Sequence, residues 1–170
     1  MIATPDELLQ KQHTITALVQ NETGTINRLV SLFRRRGFSI ACFNAGDCEQ
    51  PGFSRITLVV NGSEADLQQC LRQLDKLIDV VEVVDLKPTE RVSRELALIR
   101  IRPEQKDLDK VYGTIGEFFA RIPRGHDRHI VVEAVAETAD IERLIIALSP
   151  FNITEIVRTG EVAMRVQALN

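Results

Sequence analysis

The sequence predicts an α+β protein made of two units of like order, each β-α-β-β-α-β. Three observations predict it. Short runs of β-formers alternate with helical runs whose apolar residues recur at i, i+3, i+4 and i+7. Turn signals separate them, and Glu49-Gln50-Pro51-Gly52 joins two strand-like runs directly. The order of the first half then returns in the second, in pattern and not in residue identity. With 170 residues, 44% apolar and 26% charged, the chain can bury a core and is not expected to be disordered.

Residues 1–12 are polar, carry Pro5 and read as a short tail. His13 to Gln20 is a strand with Ile15, Ala17 and Val19 on one face. Asn21 to Gly24 is a loop. Ile26, Leu29, Val30 and Phe33 then mark one helical face, closed by Gly37. Ser39 to Cys48 and Phe53 to Asn61 form a hairpin. Ser63 caps a second helix with Asp66 three residues on, and Leu67, Cys70, Leu71 and Leu74 face inward. Val80 to Leu86 is a strand, and Lys87-Pro88-Thr89-Glu90 is a break.

The second half opens with a strand from Arg94 to Arg102. Pro103 stands near a helix start, and Leu108, Val111, Tyr112, Ile115 and Phe119 mark that helix's inner face. Phe118 to Arg124 reads as helix end or strand. Gly125-His126-Asp127 is a turn before a strand from Arg128 to Ala136. Thr138 caps a last helix with Ile141, Leu144, Ile145 and Leu148 inward, ended by Pro150. Phe151 to Val157 is a strand, and a short strand from Glu161 to Val166 follows Gly160. This order is the ferredoxin-like, split-βαβ arrangement: a four-stranded antiparallel sheet with both helices on one face. The expected domains are 13–87 and 93–168, with a boundary near residues 87–93.

A net charge of −3 argues against nucleic-acid binding. The one cation cluster, Arg34 to Arg36, ends a helix, where cations complement the dipole. No apolar run reaches the roughly 20 residues that cross a bilayer. Met1 to Glu7 lacks a basic segment before an apolar core, so no secretory leader is expected. The three cysteines fit a reducing, cytoplasmic setting. Cys42 and Cys48 share a predicted strand about 20 Å apart, too far to bridge, and Cys70 reads as a core residue.

Catalytic signatures are missing from the sequence. His126-Asp127-Arg128-His129 has no zinc-site spacing and lies far from the cysteines. There is no nucleophile elbow, dinucleotide fingerprint or phosphate loop. Glu133, Glu137 and Asp140 occupy ordinary exposed positions. The loop from Asn21 is more informative. A helix N-terminus offers unpaired N–H groups and a partial positive charge, where a carboxylate can sit. Asn21 can meet an ammonium and a carboxylate, and Gly24 lets backbone approach a ligand closely. A plain strand-to-helix connection explains the same residues. Leu18 opposite Ala17 and Val19, and valines on both faces of 80–86, suggest that the sheet's open side or edge is covered, as in side-by-side pairing of two such sheets.

Asn21-Glu22-Thr23-Gly24-Thr25-Ile26-Asn27-Arg28 followed by Leu32-Phe33-Arg34-Arg35-Arg36-Gly37-Phe38-Ser39-Ile40 resembles the opening of an ACT domain. With Pro51 to Thr57, Gln73 to Val80, Arg94 to Ile99 and Glu155 to Gly160, the chain resembles the regulatory small subunits of acetohydroxyacid (acetolactate) synthase, from about His13 to Val166. The resemblance implies a non-catalytic subunit. Such subunits bind and activate the catalytic subunit and confer feedback inhibition by valine or another branched-chain amino acid. It implies no cofactor on this chain, and thiamine diphosphate, Mg and FAD on the catalytic one. It implies a homodimer through ACT domains, with the effector between two chains. By position, Asn21, Gly24, Thr25 and Ile26 would hold its charged head, and Ser39 and Ile40 would complete the pocket from the facing chain. Two departures stand out. Ser39 replaces the family's usual Asn, and Thr25-Ile26 replaces its common Val-Leu, which together predict weaker valine sensitivity or another effector. A stand-alone ACT protein acting on a different enzyme or on transcription is the alternative.

Overall fold

The structure, a computed structural model, describes residues 12–126 and 129–167. The chain forms two compact units. The first runs to Val92 and takes in the residues from Glu161 on; the second is Ser93–Gly160.

In the first unit the order is β1 (Gln12–Gln20), α1 (Thr25–Arg36), β2 (Ser39–Asp47), β3 (Phe53–Asn61), α2 (Glu64–Leu74) and β4 (Val80–Leu86). The antiparallel sheet has the order β2-β3-β1-β4. Ile15, Ala17 and Val19 of β1 meet Leu29, Leu32 and Phe33 of α1 and Leu67, Cys70 and Leu74 of α2, so both helices cover one face. Full burial of each such aliphatic chain is worth about 1.5–3 kcal/mol. Gly37 adopts φ 70°, and the Phe38 N–H donates to the Phe33 carbonyl at 3.1 Å, ending α1 in a Schellman-type turn. Ser63 and Asp66 form the expected reciprocal cap on α2. The Ser63 hydroxyl and N–H hold the Asp66 carboxyl below its ordinary pKa.

The phase of α1 differs from expectation. Its buried stripe is Thr25, Leu29, Leu32 and Phe33, whereas Ile26 and Val30 are 44% and 52% exposed. At about 100° per residue Leu32, Thr25, Leu29 and Phe33 share an arc of about 100°, and Ile26 and Val30 fall beyond its Phe33 edge.

The other face of this sheet carries Thr14, Thr16 and Leu18, with Thr57 and Val59 beside them in register. All five are buried. Residues from Glu161 on, with β9 at Val162–Arg165, lie against part of this face. Asn44 Nδ2 donates to the Glu161 carbonyl at 2.9 Å, Thr14 Oγ1 to Glu161 Oε1 at 3.2 Å, and the Ala163 N–H to Thr57 Oγ1 at 3.4 Å. The sequence reading puts 161–166 at the end of the second domain; in the structure β9 pairs with β5 (Arg91–Ile101), and the segment also contacts the first sheet through Thr14, Asn44 and Thr57. A short strand with few neighbours of its own carries no local signal of where it docks.

The second unit runs β5 (Arg91–Ile101), α3 (Leu108–Glu117), β6 (Arg121–His126), β7 (His129–Ala136), α4 (Thr138–Leu148) and β8 (Ile153–Arg158), with β5 beginning at the boundary. The sheet order is β6-β7-β5-β8. Ala97, Ile99 and Ile101 pack with Val111 and Ile115 of α3 and Ile141, Leu144 and Leu148 of α4. Arg158 donates from Nε and Nη2 to the two oxygens of Glu95 at 2.7 and 3.0 Å, tying β8 to β5. Glu95 is 3% exposed, and this pairing raises the Arg158 pKa.

Several local expectations change here. The 118–124 ambiguity resolves as a helix ending at Glu117 and a strand starting at Arg121. Glu137, not Thr138, is the N-cap of α4, and no side chain caps it. Tyr112 and Phe119, expected inside, lie outside at 53% and 93% exposure. Leu108 packs inward as expected, and Phe118 does so in place of Phe119. Asp127 and Arg128 of the expected turn lie outside the described residues.

Candidate functional site

The loop after β1 is anchored at both ends. The Gln20 N–H donates to the Asp79 carbonyl at 2.8 Å, and the Asn21 N–H to the Gly52 carbonyl at 2.8 Å. Thr25, 3% exposed, turns its hydroxyl back to the Gln20 carbonyl at 3.1 Å. Gly24 is the N-cap at φ 94°, ψ −3°. A Cβ there would stand 3.2 Å from Arg28 Nη1 in a conformation that L side chains rarely adopt.

A glycine cap leaves the helix start without a side-chain acceptor, and the first turn of α1 holds no acidic residue. The first turn itself therefore supplies no counter-charge to the positive end of the dipole, while Glu22 of the loop acts on Arg28. Arg28, one turn on, donates through Nε to Asp79, which is 5% exposed. That hydrogen bond raises the Arg28 pKa and pairs its guanidinium with Asp79 beside the loop. Asn21 and Ile26 are exposed at its mouth. The arrangement suits a small carboxylate at the helix N-terminus, with Asn21 able to meet an ammonium.

Ser39 and Ile40 lie elsewhere in the chain. Ser39 is exposed at the start of β2, where its hydroxyl accepts from Asn61 Nδ2 at 3.2 Å. Ile40 pairs with Val60 and packs on the core. Asn61 stands opposite Gln12, at the far end of β1 from Gln20, about 26 Å away at 3.3 Å per residue. The structure thus brings Asn21, Gly24, Thr25 and Ile26 together and sets Ser39 and Ile40 apart from them within one chain. Sequence reasoning missed Arg28 and Asp79. The Thr25–Arg28 spacing of three was the available signal, but a partner 51 residues away had none.

Catalytic machinery does not assemble around this loop. Among the described residues no group of three or more His, Cys, Asp or Glu side chains is placed to hold a metal. All three cysteines are unbridged. No helix among them is long and apolar enough to cross a membrane.

Comparison with known proteins decides the family. Residues 15–82 match the model of the ACT domain described as AHAS small subunit-like, and residues 94–167 match that of the small subunit of acetolactate synthase. The chain is 38% identical over 152 residues to the acetolactate synthase small subunit of Mycobacterium leprae, covering 89% of this chain and 90% of that one. The chain belongs to the acetolactate synthase small-subunit family. It is also 35% identical over 159 residues to the probable acetolactate synthase small subunit of Methanothermobacter thermautotrophicus, covering 93% and 95%. The crystal structure of the Thermotoga maritima acetolactate synthase small subunit superposes with a TM-score of 0.85 at 32% identity, over 93% of this chain and 99% of that one. The first unit is accordingly an ACT domain, and the fold is α+β.

Proposed function

We propose that this small subunit binds the catalytic subunit of acetohydroxyacid synthase, activates it, and makes it sensitive to valine or a related branched-chain amino acid. The chemistry, with thiamine diphosphate, Mg and FAD, belongs to the partner. The observation that carries the effector role is the start of α1: a glycine cap with no side-chain acceptor, no acid in the first turn, and Arg28 alongside. An amino-acid carboxylate complements all three.

The effector is held between two chains. Asn21, Gly24, Thr25 and Ile26 of one protomer grip its charged head, and Ser39 and Ile40 of the other close the pocket. The distance between these two groups within a chain supports a shared site, as do the exposed apolar Ile26 and Val30 on α1. A serine reaches less far than an asparagine and has one donor in place of two. Loss of one hydrogen bond to a charged group weakens binding by about 1.5–3 kcal/mol, more than tenfold. Calorimetry with valine, leucine and isoleucine tests this. Weak or non-valine binding is expected, and tight valine-selective binding would refute the role given to Ser39.

A further inference from the structure

Helix α3 breaks its local rules on one face only. Gly113 sits in the helix interior, where glycine is disfavoured against alanine, and Gly116 in the last turn. Neither has positive φ, and a Cβ at either would meet nothing within 4 Å. Conformation and packing among the described residues therefore demand no glycine at these positions. At the helix end the inversion is the reverse. Phe119 holds φ 52° just past the cap, the place where glycine or asparagine is favoured, and it is 93% exposed. A bulky side chain in that conformation is strained and buries nothing in its own unit. Tyr112, 53% exposed, shares its side of the helix with Gly116.

Asp109, Gly113 and Glu117 form the neighbouring stripe at spacings of four. Both carboxylates are exposed, and neither pairs with a charged group among the described residues. The surface is thus two outward aromatics, a shallow trough over two glycines, and an acidic border. Aromatic side chains anchor interfaces, and glycines let a second backbone come close.

We propose that this face of α3 is the docking surface for the catalytic subunit. It takes a partner helix that carries an apolar side chain beside a lysine or arginine. The inference rests on the reading of the chain as a subunit that binds that enzyme. A second copy fits less well, because two-fold pairing would set the acid-bordered face against itself.

The test uses the full chain with two variants, Gly113→Leu combined with Gly116→Leu, and Phe119→Asn. Each restores a residue that local structure favours, so the isolated chain's Tm should hold or rise. Affinity for the catalytic subunit by biolayer interferometry should nevertheless fall tenfold or more. Unchanged affinity beside normal wild-type binding would overturn this surface alone. Unchanged affinity with a smaller sedimenting species would assign the face to a second copy and overturn it too. A wild-type chain that does not bind the enzyme would overturn the underlying functional reading as well.

Discussion

Gly24 shows how one backbone angle constrains the site. Its left-handed conformation opens α1 and leaves the first turn uncapped. Gly24→Ala should lower stability by about 1–2 kcal/mol, the steric cost of an L residue in that region. Urea unfolding measures this, and calorimetry should show weaker effector binding from the same variant. Ser39→Asn should act in the opposite sense and tighten valine binding about tenfold or more. Cys70 provides a pH signature. Burial pushes its thiol up from 9.0 to about 11. The unfolded thiol ionises first, so the stability held below pH 9.0 falls as pH rises towards about 11. Cys70→Ala should flatten that alkaline loss relative to wild type, as read from urea midpoints across the same range. Gly24 and Gly37 were legible in the sequence because positive φ selects glycine. Tyr112 and Phe119 were misread because each stands beside another apolar residue, Val111 and Phe118. Periodicity cannot choose between neighbours 100° apart on a helix without knowing which way the helix faces.

Among the elements, β9 most changes the picture of the sheet. Valines and leucines on both faces pointed to a cover, and the cover proves to include the chain's own returning strand. Glu161, 9% exposed, accepts from Thr14 and lies 3.3 Å from Arg91. Glu161→Ala should leave the Thr14 hydroxyl without its acceptor and cost about 1–3 kcal/mol. Thermal unfolding is the check, and an unchanged Tm would remove β9 from the account of the first unit's stability. In the second unit, Arg158→Met should cost about 3–5 kcal/mol by stranding the Glu95 carboxylate. Most elements were readable because each repeats an apolar period and ends on a turn residue or cap, as at Ser63–Asp66. The docking of β9 was not readable, since side-chain contacts with Thr14, Asn44 and Thr57 across more than a hundred residues leave no periodic mark.

At the scale of the whole molecule, the βαββαβ pattern occurs twice, and among the described α-helices α1 alone starts with neither a side-chain cap nor an acid in its first turn. The proposed effector pocket draws Ser39 and Ile40 from a second chain, so assembly and effector binding are linked: each favours the other by the same factor. Sedimentation of the chain with and without a saturating branched-chain amino acid should show the effector strengthening the dimer. The two halves of the proposed pocket share no spacing within one chain, so Ser39 and Ile40 were reached only through the family resemblance. The most direct measurement adds this chain to purified catalytic subunit and follows acetolactate formation as valine is raised. The account predicts higher activity on addition of the chain, then inhibition at valine concentrations that fall when Ser39 is replaced by Asn. Activity that neither rises with the chain nor responds to any branched-chain amino acid would contradict it.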